Sequence, residues 1–309
     1  MEDYPRTLSE FEHRFATEGA CRTYLAQLRW PGGYRCLRCG VDRSWMTQEG
    51  LMKCSQCGYR ASVTAGTIFH RSHLPLRTWF RAMWWVTNQK HGISALGLQR
   101  LLELGSYETA WSCLQKLRRA MVRPGRDRLT CEVEVDETYV GGVEPGGGRR
   151  HLGNKALVAV AAQVDREGIG RIRLRRIPRA SSQSLLAFMQ EAIEPGSTVL
   201  TDGWEGYDGL KGHGYKHKAR VISGSGKTAS VLLPRVHRVA SLLKRWLLGT
   251  HQGGVSRDHL DYYLDEFTFR FNRRTSRHRG KLFYRLVEQA AAVGPTPYAR
   301  LVSHSNYDA

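Results

Sequence analysis

The sequence lacks any run of about 18 consecutive apolar residues, the length that a membrane-spanning helix requires. We therefore expect no membrane contact. The first fifteen residues, MEDYPRTLSEFEHRF, lack the basic and apolar regions of a secretory signal. The segment GSGKT at residues 224–228 lacks the earlier glycine of a phosphate-binding P-loop, so residues 223–230 are expected to form a flexible loop. The polar N-terminus without a secretory signal predicts a cytoplasmic protein.

Acidic residues are scarce. The 309 residues include 28 Asp and Glu against 47 Lys and Arg, so the formal net charge is +19. Residues 1–130 carry 20 basic and 10 acidic side chains, and residues 131–309 carry 27 and 18. Basic cytoplasmic proteins most often bind nucleic acid, and the excess in both halves predicts that both contact a polyanion. A basic enzyme without such a partner is the alternative. Hydrophobic residues make up 41%, which is enough for a packed core and excludes wholesale disorder.

Four of the seven cysteines form two Cys-x-x-Cys pairs, separated by fourteen residues: Cys36 with Cys39, and Cys54 with Cys57. A glycine follows each pair, which lets the chain turn back beneath a metal ion. Two such turns provide the four sulfur ligands that tetrahedral Zn²⁺ prefers. Disulfides are rare in the cytoplasm, and redox pairs rarely occur twice. The sequence therefore predicts a structural zinc ribbon, with short strands at residues 34–35 and 52–53.

Apolar periodicity predicts helices on both sides of the ribbon. Residues 7–29 fit a helical pair, and residues 76–90 fit a third helix. A short helix capped by Ser94 and a longer one at residues 107–121 follow. Two helices joined by a glycine turn resemble a helix-turn-helix, although a plain three-helix packing is the alternative. The predicted DNA contacts at the end of the second helix are Lys116, Arg118 and Arg119. The remaining cysteines are expected in the core: Cys21, Cys113 and Cys131.

From residue 131 the apolar period changes from 3.6 to 2. Residues 131–140, CEVEVDETYV, predict a strand with Cys131, Val133 and Val135 on one face and Asp136 on the other. Further strands are predicted at residues 155–164, 170–177, 198–201 and 215–222, with helices at 181–193 and 235–248. This order fits a mixed sheet of the ribonuclease H type, in which Asp136 and Asp202 meet. Taken singly, each aspartate fits a plainer role: Asp136 as a solvent-facing strand residue, and Asp202 as a turn or helix-capping residue.

Together these segments resemble the zinc-ribbon transposases with a DDE domain of the insertion sequence 1595 family (ISXO2-like transposase domain). The resemblance covers about residues 20–290. The segments that carry it include SVTAGTIFHRSHLPLRTWF at 62–80, DETYVGG at 136–142, TDGW at 201–204 and YLDEFTFRFNRR at 263–274. It implies metal-dependent cleavage of DNA at the ends of an element and transfer of those ends to target DNA.

The resemblance assigns Asp136 and Asp202 to the first two carboxylates that bind catalytic Mg²⁺ or Mn²⁺. At the third position, 35 residues beyond Asp202, this sequence has His237 instead of the usual glutamate. Lys244 lies two helical turns farther on the same face and matches the basic residue that meets a DNA phosphate. Glu266 is the alternative third carboxylate, although a surface acid on an apolar-periodic helix is the plainer interpretation. Because magnesium prefers oxygen ligands, His237 predicts that Mn²⁺ supports the reaction better.

Basic residues in the second half extend the predicted DNA contacts: Lys244, Arg245, Arg270, Asn272, Arg273 and Arg274. A solvated helix end is the alternative for the run beyond residue 270. A tyrosine recombinase would need an Arg/His set around Tyr139, which is missing. A zinc-ribbon transcription factor leaves residues 131–250 unexplained. A transposase-derived DNA-binding protein that has lost catalysis is the remaining alternative, with His237 as its main argument.

The predicted architecture is mixed α/β (α+β). It comprises N-terminal helices and zinc ribbon (residues 1–70), a helix-turn-helix-like DNA-binding segment (71–125), a ribonuclease H-like catalytic domain (126–290) and a C-terminal tail (291–309). The predicted partners are the terminal inverted repeats of an element, target DNA and, by analogy, a second copy of the chain in the synaptic complex. The expected location is the cytoplasm, at the nucleoid when bound to DNA.

Overall fold

The computed structural model describes residues 2–123, 125–141, 155–166, 168–221 and 228–303. Contacts between residues divide the chain into two units: Met1–Arg123 with Ser276–Ala309, and Pro124–Thr275. The predicted boundary near residue 125 agrees with this division, whereas residues 276–290 group with the first unit instead of the catalytic segment. The other predicted boundaries stay predictions. The sequence GSGKT lies outside the described residues, except for its last residue, Thr228.

Eleven helices and eight strands are found in the described residues. In chain order they are α1 (Leu8–Arg14), α2 (Glu18–Arg29), β1 (Ser44–Met46), β2 (Leu51–Cys54), β3 (Arg60–Ser62), α3 (Leu76–Asn88), α4 (Ala95–Leu102), α5 (Tyr107–Ala120), β4 (Glu132–Val140), β5 (Ala156–Asp165), β6 (Gly168–Ile177), α6 (Ser182–Ala192), β7 (Thr198–Thr201), β8 (Lys216–Ala219), α7 (Ala229–Leu232), α8 (Pro234–His251), α9 (Leu260–Phe271), α10 (Arg279–Ala292) and α11 (Tyr298–Val302). Two 3₁₀ helices occupy Glu205–His213 and Arg257–His259.

Side-chain caps begin four helices of the first unit. In each, a hydroxyl oxygen accepts a hydrogen bond from the backbone N–H three residues ahead, and the capping residues are Thr7, Thr17, Ser94 and Ser106. The helical pair at residues 7–29 and the helix capped by Ser94 are therefore confirmed. α10 packs on α2 and α3. Its Phe283 ring centroid lies 5.4–6.5 Å from those of Phe11, Phe15, Tyr24, Phe80 and Trp84.

The ribbon sheet has the antiparallel order β1-β2-β3. The strand predicted at residues 52–53 lies within β2, but residues 34–35 are not a strand, so that prediction is wrong. β2 lies between β1 and β3, and residues 34–35 pair with neither of these edge strands. Tyr34 is instead buried edge-on against Trp30, at 4.8 Å between ring centroids.

The second unit is built on a five-stranded sheet of order β6-β5-β4-β7-β8. β5 runs antiparallel to β4 and β6, whereas β4, β7 and β8 are parallel. A ribonuclease H-like sheet has this order and these directions, as predicted. Val133 and Val135 of β4 face a core that includes Leu185 and Phe188 of α6. α8 packs against β4 and β5 and supplies the buried residues Val236, Val239 and Leu243.

The cysteines outside the ribbon differ in burial. Cys21 and Cys113 are buried, as predicted. Cys131 is exposed, which corrects the prediction that it lies in the core. Its φ of 67° takes it out of the extended conformation, and β4 begins only at the next residue. The alternation of faces therefore does not extend back to it.

The described helices were also compared with the dimensions of a bilayer. None of them combines the length and the apolar character that crossing it requires.

Candidate active site and zinc cluster

Asp136 and Asp202 are brought together by the register of two parallel strands. Glu134 of β4 is paired with Leu200 of β7. Each aspartate lies two residues farther along its own chain, Asp136 within β4 and Asp202 just beyond the end of β7. Neighbouring strands are about 4.8 Å apart, so this register places the two carboxylates side by side.

His237 on α8 faces Asp136 across the sheet surface. Its Nε2 atom lies 3.5 Å from Asp136 Oδ2. This nitrogen is buried and makes no hydrogen bond within the described part of the chain. A buried nitrogen aimed at a carboxylate, without a donor or acceptor of its own, suits a ligand to a cation.

The electrostatics of Asp136 also fit a cation. Burial raises the pKa of Asp136, and the negative charge of Asp202 raises it further. A backbone hydrogen bond at Glu137 and the neighbouring side chains of His237 and Lys244 oppose that rise in pKa. A divalent ion would relieve both the desolvation and the repulsion between the carboxylates. In the described chain, however, these side chains do not form a group of three donors within 4.8 Å of one another, unlike the four ribbon cysteines.

Glu134 fixes the start of α8 to β4. Its carboxylate is fully buried and accepts hydrogen bonds from the backbone N–H groups of Arg235 and Val236, at 2.7 and 3.1 Å. It also pairs with the Arg235 guanidinium at 2.9 Å. Arg235 in turn donates to the backbone carbonyls of Arg166 and Gly168 in the β5–β6 turn. An acid at a helix N-terminus is favourable for hydrogen bonding and for the helix dipole.

The consequence is that Glu134 aligns the two site residues. Asp136 follows Glu134 by two residues on the same face of β4, and His237 follows Arg235 by two residues on α8. Sequence analysis missed this role. The sequence does show an acid on the same face of the strand as Asp136, but the arginine that pairs with Glu134 lies 101 residues away.

Glu137 lies on the opposite face of β4, behind the site. The buried Tyr207 hydroxyl donates to Glu137 Oε1 at 2.8 Å. Burial raises the pKa of Glu137 to about 7, with contributions from the charges of Asp136 and Asp202, while the Tyr207 hydrogen bond opposes the rise. This pair was also missed, because nothing in the local pattern links Glu137 to residue 207.

The four ribbon cysteines form a sulfur cluster whose Sγ atoms all lie within 4.8 Å of one another. Cys36 and Cys57 are 3.5 Å apart at their sulfurs, and Cys39 and Cys54 are 3.6 Å apart. A disulfide needs about 2.05 Å, whereas sulfurs around one zinc ion, each about 2.3 Å from it, lie about 3.8 Å apart. Gly40 and Gly58, which follow the two pairs, have φ of 74° and 68°. The N–H of each glycine donates to the backbone carbonyl of the first cysteine of its pair. The cluster therefore fits a structural zinc ion.

Two models of transposase domains match this chain. Residues 128–272 match the family model described as ISXO2-like transposase domain, and residues 16–60 match the one described as transposase zinc-ribbon domain. The chain belongs to the zinc-ribbon transposases of the insertion sequence 1595 family. A curated relative is the "Uncharacterized protein in transposable element ISH50" of Halobacterium salinarum (strain ATCC 700922 / JCM 11081 / NRC-1). It is 28% identical over 299 residues, which cover 90% of this chain and 98% of that protein.

Solved structures of Mos1 were also matched. The Mos1 strand transfer complex is 14% identical, with a TM-score of 0.31, and the match covers 69% of this chain and 75% of that one. The Mos1 transposase paired-end complex with the left transposon end is 14% identical, with a TM-score of 0.32, over 72% and 77% of the two chains.

Lys244 of the transposase is exposed on α8, close enough to Asp136 for their charges to interact. Burial of part of the side chain lowers the pKa of Lys244, and Asp136 opposes the change. Glu266, the alternative third carboxylate, is 1% exposed and pairs with Arg270 at 2.9 Å on α9. The interpretation of Glu266 as a surface acid is therefore wrong. In the described chain, Glu266 does not form a three-donor group with the aspartates.

The side chains predicted to contact DNA differ in their exposure to solvent. Arg245 is exposed, and Lys116 and Arg119 are partly exposed. Arg118 is 1% exposed and donates to Gln115, so its guanidinium is not on the surface of the first unit. All these DNA contacts stay predictions.

The C-terminal end of α9 is bonded to β6. The Asn272 amide donates to and accepts from the Ile172 backbone, at 3.1 and 2.7 Å. Arg274 donates to the carbonyls of Ile169 and Gly170. The Arg273 guanidinium stacks on Phe269 at 4.0 Å. These side chains hold α9 in place, whatever part they also have in DNA binding.

Proposed function

We propose that this transposase cleaves DNA at the ends of its element and joins those ends to target DNA, in a reaction that depends on a divalent metal ion. The observation that carries the proposal is the approach of His237 Nε2 to Asp136 Oδ2 at 3.5 Å, with Asp202 just beyond the end of the adjoining strand β7. Acids clustered in a chain of net charge +19 would repel DNA unless a cation neutralised them. Such a cluster therefore suits metal-assisted phosphodiester chemistry.

Asp136, Asp202 and His237 would hold the metal. When bound, Mg²⁺ or Mn²⁺ would supply charge stabilisation at the scissile phosphate and activate the attacking oxygen. Glu134 and Arg235 bind the start of α8 to β4, in the position that brings His237 close to Asp136. Lys244, two turns farther along the same face of α8, pairs with a phosphate next to the one that is cut. No covalent enzyme nucleophile is required.

DNA itself is held by the basic surfaces of the transposase, with Arg245 of α8 next to Lys244. Neutralising phosphates releases counterions, so binding should weaken steeply as salt rises. The partners are the terminal inverted repeats and target DNA, and two copies of the chain act in one complex because two ends are joined. Sedimentation of the protein with and without paired ends tests the assembly.

The test uses full-length protein and a duplex taken from the borders of its own gene. Strand cleavage and end joining are measured with Mn²⁺ and with Mg²⁺. Border-specific products that Asp136→Asn and Asp202→Asn abolish, but that Asp208→Asn retains, support the proposal. Asp208 is the matched control, since it is an exposed acid only six residues beyond Asp202.

A second function is favoured by one observation, the histidine at the position of the third carboxylate. It is a DNA-binding protein derived from a transposase that no longer cuts. Tight binding to the borders with no products in either metal would support it. Products formed only with Asp136 intact would rule it out.

A further inference from the structure

Trp204 presents an aromatic ring to solvent two residues beyond Asp202. The residue is 49% exposed, whereas Trp79 and Trp84 are buried in the core of the first unit. Its backbone N–H donates to Asp202 Oδ1 at 3.0 Å, so the indole and the carboxylate belong to one turn. The exposed ring is therefore a neighbour of the candidate metal site.

The ring is fixed in place. Indole Nε1 donates to the Ala180 carbonyl at 3.2 Å. Gly206 lies against the same edge of the ring, and a Cβ built there would be only 2.6 Å from Nε1 and 2.7 Å from Cδ1. Only glycine allows the indole to lie this close to the backbone. The indole edge that carries Nε1 is thus held against the backbone, while about half of the residue stays exposed to solvent.

An arginine lies next to the anchor of the ring in the sequence. Arg179 precedes the residue whose carbonyl holds the indole. Its side chain is exposed and, within the part of the chain that the structure describes, it has no ion-pair partner. An exposed aromatic ring whose backbone anchor is preceded by an exposed arginine offers the two groups that bind a single nucleotide, one that stacks on the base and one that pairs with the phosphate.

We propose that Trp204 and Arg179 form a binding site for one unpaired nucleotide of the DNA. The base stacks on the free face of Trp204, and a flanking phosphate pairs with Arg179. The inference rests on the proposed function, since Trp204 shares a turn with Asp202, one of the carboxylates assigned to the metal. Because the ring is already held by Ala180 and Gly206, little side-chain freedom is lost on binding.

The probes are two fluorescent single strands of equal length and charge, a ten-nucleotide thymidine strand and the same strand with abasic sites. Both are bound to full-length protein without added divalent metal. Stacking on an aromatic ring raises affinity by roughly 5-fold to 150-fold per base. We expect wild-type protein to favour the thymidine strand by at least about 5-fold.

The variants separate stacking from packing. Trp204→Phe keeps an aromatic face and should keep most of the preference. Trp204→Leu keeps an apolar cover and should lose it. Arg179→Gln should weaken both strands equally and reduce the salt dependence by about one phosphate contact. Trp45→Ala is the matched control, because Trp45 in the ribbon is also 49% exposed.

Two results would overturn the proposal: Trp204→Leu keeping the full preference, or Trp204→Phe and Trp204→Leu losing it equally. The assay needs no cleavage, so its result is independent of the test of the proposed function. If wild-type protein cuts its borders while Trp204→Leu binds both strands as wild type does, the nucleotide site alone is rejected. If wild-type protein shows the Trp204-dependent preference but cuts nothing, the proposed function alone is rejected.

Discussion

His237 is the residue that should set the metal preference of the site. A nitrogen ligand suits Mn²⁺ better than Mg²⁺, which prefers oxygen. We expect wild-type cleavage to be at least about tenfold faster with Mn²⁺, and His237→Glu to bring the two rates together. Initial rates of border cleavage in each metal measure this. His213→Glu adds the same acid at an exposed position of the unit and should leave the ratio unchanged. Equal rates in wild type would contradict the expectation.

Glu137 should make stability depend on pH. Burial raises the pKa of Glu137 from 4.5 to about 7 in the folded protein. As pH rises, Glu137 therefore loses its proton at a lower pH in the unfolded chain than in the folded protein. The free energy of unfolding therefore falls as pH rises from about 4.5 to about 7 and stays lower above that.

Glu137→Gln keeps an acceptor for the Tyr207 hydroxyl but cannot ionise. At pH 8 it should be more stable than wild type by about 2 kcal/mol, since each pKa unit corresponds to about 1.4 kcal/mol and solvent screens part of the effect. At pH 4.5 the two proteins should melt together. Melting curves at both values test this, with Glu132→Gln on the same strand as control. A gain that is equal at both pH values would refute the assignment.

At the scale of elements, the contact between β4 and the start of α8 decides whether the site is aligned. Glu134→Gln removes the charge that Arg235 and the helix N-terminus share. We expect cleavage to fall by roughly 10-fold to 100-fold, as for other residues that orient metal ligands, and the Mn²⁺ concentration for half-maximal rate to rise.

The control for this variant is Asp261→Asn. It breaks another buried pair of the same unit, Asp261 with Arg176 at 2.9 Å between α9 and β6. Both variants should melt at lower temperature, but only Glu134→Gln should change the Mn²⁺ dependence. If the two change it equally, Glu134 acts through stability and not through alignment.

At the scale of the whole molecule, the chain returns to its first unit after completing the second. α10 places Phe283 among five aromatic rings of that unit. Phe283→Ala should destabilise the first unit by about 3–5 kcal/mol, through lost burial and the cavity left behind. Hydrogen exchange should show faster exchange in α2 and α3 but unchanged protection in β4 and β5. Faster exchange in the five-stranded sheet would contradict the division into units.

Zinc removal should likewise act on one unit. The ribbon sheet is small, and its hydrophobic cluster consists of few residues around Cys36 and Cys54. Structural zinc sites contribute folding free energy directly. We expect a chelator, or Cys54→Ser, to unfold β1–β3 while the second unit keeps its exchange protection. Protection of the ribbon that survives complete loss of zinc would show that the metal is not structural.

Most elements were predictable because their signals are local. Ser94 caps its helix three residues ahead, and the alternation along β4 separates Val133 from Asp136 onto opposite faces. The errors also have local causes. Residues 34–35 have strand-like composition, but Tyr34 packs against Trp30 instead of joining the ribbon sheet. The positive φ of Cys131 interrupts the alternation before β4 begins. Burial of Arg118 and Glu266 was not predictable, because it depends on which helices pack over them.

Three features follow from the amino-acid sequence alone: the four-cysteine cluster, the carboxylate on β4 and the pair of His237 and Lys244 on one helix face. Each of these features depends on spacings of a few residues or on the repeated Cys-x-x-Cys pair. The contact of Glu134 with the start of α8 and the grouping of α10 with the first unit became visible only in the folded chain. Those contacts join residues far apart in the chain, and they are set by strand register and core packing, which local periodicity does not specify.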